Sequence, residues 1–152
     1  MALSTDLVGS TRPGASLLVS RSRLRFFAKA TGQQDPVYVD VEAARRAGHR
    51  DLPVPPTFFF SVDLEMPDSF GYLVDLGVDL RAVLHGEQEF VYHRLAYAGD
   101  VLTARSEVRD VYEKRGGALQ FIVRVTTITN GDGEPVAELT GTTVVRQLEL
   151  KD

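Results

Sequence analysis

The sequence predicts an α+β fold in which an antiparallel sheet wraps around one apolar helix. Three observations carry that prediction. Helical patterns fall in the first half of the chain and strand patterns in the second, the segregation typical of α+β domains. From about Val83 onward the chain consists of four long runs rich in Val, Ile, Thr, Phe and Tyr. Between the two lies "VPPTFFFSVDLE", a segment that would be apolar on nearly every side of a helix.

Taken in order, residues 1–18 are rich in Ser, Thr, Gly and Pro and read as an N-terminal arm leading into a short strand. Residues 19–152 are then expected to form a single domain. "SRSRLRFFAKATG" reads as a helix: Leu24, Phe27 and Ala28 recur at i, i+3 and i+4, Ser20 or Ser22 can cap its start, and Gly32 can end it. "DPVYV" is extended, because Pro36 disfavours helical backbone at Asp35. "DVEAARRAG" predicts a second short helix with Asp40 as N-cap and Gly48 as C-cap.

Three prolines then lead into Thr57, Phe58, Phe59, Phe60, Val62 and Leu64. Proline is tolerated in the first helical turn and nowhere deeper, so a helix is expected to begin near Thr57. A helix without a polar face is buried. "PDSFGYLVDLGVD" reads as a loop with one helical turn. The four strands are "VLHGEQEFVYHRL", "DVLTARSEVRDVYEK", "ALQFIVRVTTITN" and "EPVAELTGTTVVRQ", joined by turn signals at Gly99-Asp100, Gly116-Gly117 and Asn130-Gly131-Asp132-Gly133. In the third, Leu119, Phe121, Val123 and Val125 alternate with Gln120, Arg124 and Thr126, which predicts one face on a core and one nearer water.

Composition narrows the function classes. The 152 residues suit one domain with a modest core. Hydrophobic residues make up 43% and charged residues 25%, as in soluble globular proteins. A net charge of −4 argues against nucleic acid as a partner. The absence of cysteine excludes disulfides, thiolate metal ligands and a thiol nucleophile, and fits the cytoplasm. No signal peptide and no apolar run long enough for membrane insertion is expected. His85 and Glu87 make two metal ligands at best, so no metal is expected, and no cofactor.

Three stretches resemble a known family. "FAKATGQQDPVYVD" is similar to the motif Gly-Asp-x-Asn-Pro-(aliphatic)-His-x-Asp of MaoC-like (R)-specific enoyl-thioester hydratases and (3R)-hydroxyacyl dehydratases. "VPPTFFF" resembles the start of the central helix in their hotdog fold. "LHGEQEFVYHRLAYAGDVLTA" resembles the N-terminal-type, FAS1-like dehydratase domain. "MALSTDLVG" looks like the start of actinobacterial dehydratase subunits of very-long-chain fatty acid elongation. The resemblance runs from about Val19 to Gln147. It implies a hotdog domain, about five strands around a buried helix, and an acyl thioester of coenzyme A or acyl carrier protein as ligand. It also implies a homodimer, or a heterodimer with a catalytic hotdog subunit.

In that family an Asp and a His on one loop share the acid–base work on water and the α-carbon. A backbone N–H at the start of the buried helix polarises the thioester carbonyl, helped by the helix dipole. Residue by residue, Gly32 and Pro36 match, but Gln33 falls on the Asp, Asp35 on the Asn and Tyr38 on the His. Gln33 is not basic, and a tyrosine with an ordinary pKa of about 10 is a poor base at neutral pH. The resemblance therefore implies an acyl-thioester-binding subunit in fatty acid metabolism that lacks the usual dyad. The alternative is a self-sufficient homodimeric hydratase or thioesterase.

The candidate catalytic residues are Asp35 and His85. Asp35 also suits a plain turn before proline. His85 can pair with Glu87, expected on the same strand face at i+2. Candidate substrate-binding residues are Pro56, Thr57, Phe58, Phe59, His85 and Gly86. Three adjacent helical side chains span about 300°, so at most one of the three Phe rings can face a ligand. Gly86 marks close approach of another backbone. Asp63 and Glu65 are candidates, by location alone, for a thioesterase's polar group. His93 reads as rim or interface, His49 as a helix-terminus residue, and Lys114 and Arg115 as a solvated hairpin end that can touch a phosphate.

Overall fold

The computed structural model describes residues 3–66 and 68–147. Its centre is a five-stranded antiparallel sheet built from β1 (Thr11–Leu18), β2 (Val83–Tyr92), β3 (Val101–Lys114), β4 (Leu119–Thr129) and β5 (Pro135–Arg146). The strands lie in the order β1-β3-β4-β5-β2, which leaves β1 and β2 as edges. All four long runs form strands, and a short strand also forms, but it lies within residues 1–18, read as an arm, running from Thr11 to Leu18 and pairing with β3. Among the described residues, no helix is long and apolar enough to cross a membrane.

The helices follow their caps. Ser20 Oγ accepts from the Arg23 amide and starts α1 (Arg21–Thr31), which ends at Gly32 with φ 70°. Asp40 accepts from the Glu42 amide and starts α2 (Val41–Arg46). The apolar segment is indeed buried, but it is shorter than its pattern suggests. It consists of a 3-10 turn, Pro56–Phe58, followed by α3 (Phe59–Asp63). Leu64, which would continue the apolar pattern, lies outside the helix and is 41% exposed. A fourth helix, α4 (Gly71–Asp75), is the single turn expected in the following loop.

Phe58, Phe59 and Val62 are buried with Leu24, Leu52, Leu102, Ile128 and Leu139 in the main core. Phe27 of α1 meets Phe58 edge-on at 5.3 Å between ring centroids. Each such buried side chain stabilises the fold by about 1.5–3 kcal/mol relative to an exposed one. The proline-rich lead is held by hydrogen bonds from Val54 N to Ala96 O at 2.8 Å and from Ala98 N to Leu52 O at 2.9 Å. A smaller core gathers Leu73, Val108, Val111 and Ile122, with Leu3 and Leu7 of the N-terminal arm packed against it.

The alternation along β4 is as expected, yet α3 packs on the set that contains Arg124 and Thr126. Ile122 and Ile128, both fully buried, share that face. On the outer face Phe121 stacks on Tyr112 at 4.7 Å, with the Lys114 ammonium over both rings. Both faces of the strand hold apolar residues, so periodicity defines two sets without saying which one meets the helix.

Candidate functional site

The loop after α1 uses its polar side chains on itself. Gln33 Oε1 accepts from the Asp35 amide at 3.0 Å, and Asp35 Oδ1 accepts from the Val37 amide at 3.0 Å. Asp35 thus caps the 3-10 turn Pro36–Tyr38, the turn-forming role open to an Asp before Pro. Its side chain is exposed, whereas Tyr38 is half-buried.

His85 lies elsewhere, on the wall of a cleft of about 310 Å3 between α3, the 64–72 segment, β2 and β5. Phe60, Leu64, Phe70, Tyr72, Val83 and Leu84 supply its apolar lining, and Asp63, Gln88, Arg124 and Thr143 supply polar groups. The His85 ring sits 5.9 Å from that of Phe60. No residue of the 31–40 loop lines this cleft, so the fold of one chain does not bring Asp35 and His85 together in it.

Register explains which β2 side chains reach the cleft. His85 pairs with Thr143, but Glu87 pairs with Thr142, because a bulge intervenes at Gly86. The extra residue inverts the alternation. His85 and Gln88 therefore share the helix-facing side, and Glu87 points away from it. The expected His85–Glu87 pair is corrected on this ground. Gly86 does mark a close approach: a Cβ there would lie 3.0 Å from Thr142 O and 2.9 Å from a Val144 methyl.

Of the three aromatic rings, Phe60 alone lines the cleft. Phe58 and Phe59, expected at the ligand, are each 3% exposed and belong to the core, because adjacent helical positions point in different directions. Pro56 and Thr57 stand exposed at the start of the helical segment. With only five α-helical residues following, that end offers no long summed dipole; Pro56 has no N–H and the Phe58 amide donates to Pro55 O at 3.0 Å.

The polar floor of the cleft was the least legible part of the sequence. Arg124 Nη2 donates to Asp63 Oδ2 at 2.9 Å, and Ser106 Oγ donates to Asp63 Oδ1 at 2.9 Å. Ser106 and Thr126 hydroxyls lie 2.7 Å apart. The one available signal was an arginine in the middle of a largely apolar strand. The loop above is tied down by Arg12, which donates to Ser69 O at 2.9 Å and Asp68 O at 3.1 Å. Arg12 and Arg124 each also lie against the Tyr72 ring, at 4.6 and 5.1 Å from its centroid.

The remaining candidates have ordinary partners. Asp63 is held by Arg124, and Glu65 by Arg23 at 2.6 Å, so neither offers a free carboxylate to water. His93 Nε2 bonds Glu138 at 3.1 Å, and His49 Nδ1 lies 3.3 Å from the Tyr97 hydroxyl. The Lys114 ammonium covers Tyr112 and Phe121. Edge strand β2 carries exposed Leu84, Val91 and Tyr92, with exposed Leu95 just beyond it.

Comparison with known proteins shows similarity in sequence and in fold. The sequence family described as FAS1-like, dehydratase domain region, matches residues 6–139. A UPF0336 protein of Clavibacter michiganensis subsp. michiganensis is 37% identical over 147 residues, covering 96% of this chain and 97% of its own length. A UPF0336 protein of Parafrankia sp. is 39% identical over 150 residues, covering 96% of each. Among solved structures, the C-terminally truncated HadBC (3R-hydroxyacyl-ACP dehydratase) complex of Mycobacterium tuberculosis has a chain that superposes with a TM-score of 0.76 at 29% identity. That match covers 93% of this chain and 99% of the other. A MaoC-like dehydratase superposes with a TM-score of 0.80 at 27% identity over 93% of this chain and 42% of its own.

Proposed function

This chain belongs to the FAS1-like dehydratase domain family and has the hotdog fold of its MaoC-like relatives, and we propose that it is the acyl-thioester-binding subunit of a (3R)-hydroxyacyl-thioester dehydratase or hydratase. A partner chain bearing the intact Asp and His supplies the acid–base chemistry. One observation carries this reading. The 31–40 loop has Gln33 and Tyr38 where proton transfer is needed, and its one candidate carboxylate, Asp35, is engaged as a turn cap. A group that accepts from its own backbone is poorly placed to accept a proton from water. The retained part is the cleft, whose mostly apolar walls suit an acyl chain.

The partner docks on β2. That edge has ten residues and four exposed apolar side chains on or just beyond it, whereas β1 is shorter, at eight residues; each of the two edges carries a bulge. Adding a second sheet along β2 removes an open edge and covers those side chains. The HadBC complex, itself described as a (3R)-hydroxyacyl-ACP dehydratase, supports a two-chain arrangement. The Pro56–Thr57 end of the helical segment is exposed and available to a thioester carbonyl at the seam.

One observation favours a second reading, a homodimer active by itself. His85 lines the cleft without an ion pair or side-chain hydrogen bond among the described residues, which leaves its ring nitrogens open to a water or substrate. Loss of enoyl absorbance from crotonyl-coenzyme A separates the two. The subunit reading expects no turnover by the chain alone and turnover once a motif-bearing hotdog chain is added. Turnover by the chain alone that His85→Ala or Asp35→Asn abolishes would replace it with the second reading. Release of free thiol would indicate thioester hydrolysis instead.

A further inference from the structure

The ion pair on the floor of the cleft has one donor to spare. Asp63 spends Oδ2 on Arg124 Nη2 and Oδ1 on Ser106 Oγ. Arg124 Nη1 is buried and has no hydrogen-bond partner among the described residues. Tyr72 covers the guanidinium with its ring, a contact to a π face that gives an N–H edge no oxygen to bond. Buried N–H groups are normally satisfied, and an exception calls for an acceptor that the bare chain does not itself contain.

Space for that acceptor lies beside it. A recess of about 20 Å3 is bounded by Arg124 and Thr126 together with Phe60, Asp63, Gln88, Leu139 and Gly141. Five of its seven lining residues also line the large cleft, so the recess is continuous with it. Its size suits one oxygen-bearing group. The charge balance restricts which one. Asp63 already neutralises Arg124, so a carboxylate would bring a second, uncompensated negative charge into a largely buried place. A hydroxyl or ketone oxygen would not. Between the recess and the mouth the walls are apolar, with Phe60, Leu64, Phe70 and Leu84 among them.

We infer that Arg124 determines specificity by bonding a neutral oxygen at the far end of the acyl group, so that the cleft prefers an oxygen-tipped chain to a plain alkyl chain of equal reach. This rests on the reading of the cleft as an acyl site. A plain chain long enough to fill the recess leaves Nη1 unpaired and excludes water from it, which penalises binding. A hydroxyl or ketone at the same depth restores the bond. The Asp63 carboxylate fixes the guanidinium and is a positioning residue in this scheme.

The test is calorimetric titration of the wild-type chain, alone and with its motif-bearing partner. The probes are a ladder of saturated acyl-coenzyme A thioesters and the matching ladder with a hydroxyl on the last carbon. The expected result is one chain length at which the hydroxyl-tipped thioester binds about tenfold more tightly, as a bond to a charged donor provides. That preference is lost in the paired replacement Asp63→Leu with Arg124→Met. Should the paired variant not fold, Arg124→Lys keeps a charge opposite Asp63 while removing the planar fork, and it should lower the same ratio. Equal affinity of the two ladders at every length, or a preference that survives these substitutions, overturns the inference and leaves the acyl site standing. Failure of both ladders to bind, with or without the partner, overturns the acyl site itself.

Discussion

Breaking the Asp63–Arg124 pair from one side should cost far more than removing it whole. Side-chain exposure is 17% for Arg124 and 13% for Asp63, so each charge depends on the other. Arg124→Met leaves Asp63 with Ser106 as its one side-chain partner. Asp63→Leu leaves the Arg124 guanidinium without an acceptor, since Nη1 already lacks one. Each single change should cost about 3 kcal/mol, the lower end for a buried pair because some solvent reaches this one. For a chain of this length that is a fall of about 6–12 °C in Tm. The double change removes both charges, and Ser106 keeps Thr126 at 2.7 Å. It should therefore lie within about 1 kcal/mol of wild type. The cycle then contains a coupling of about 5 kcal/mol, read from urea unfolding of the four proteins. Additive single changes, or singles that each cost less than about 1 kcal/mol, would refute the view that this floor is a desolvated and mutually dependent pair.

Two further outcomes follow from local geometry. Gly14→Ala places a Cβ 2.5 Å from the Ala104 carbonyl oxygen, which is backbone and cannot turn aside. It should destabilise the chain by about 1–3 kcal/mol and raise amide exchange along β1 first, and an unchanged melt with unchanged exchange would contradict the close approach. The hydrogen bond from Arg21, the main cause, holds the Asp51 carboxyl at about 2, below its ordinary value, and the Leu52 amide adds to it. A carboxyl depressed on folding stabilises the fold above its unfolded pKa of about 4 and loses that contribution as pH falls toward 2. Arg21→Ala should therefore lower stability by up to about 1 kcal/mol at pH near 7 and leave it unchanged near pH 2. A difference of equal size at both would sink the assignment.

The sequence by itself determined most of what local covalent geometry controls, although Pro36–Tyr38, read as extended, forms a 3-10 turn. Ser20 and Asp40 cap where their side chains can reach the next turn's amides, and the four strands follow from β-branched runs between glycine turns. The prolines preset the entry of a buried helical segment. Only the tertiary structure decided that the helix stops at Asp63, that a bulge at Gly86 parts His85 from Glu87, and that α3 packs on the Arg124 side of β4. A period of two names two faces of a strand but carries no label for the buried one. That label comes from contacts between residues far apart in the chain, such as Asp63 with Arg124, and their energy exists only once the sheet has closed around the helix.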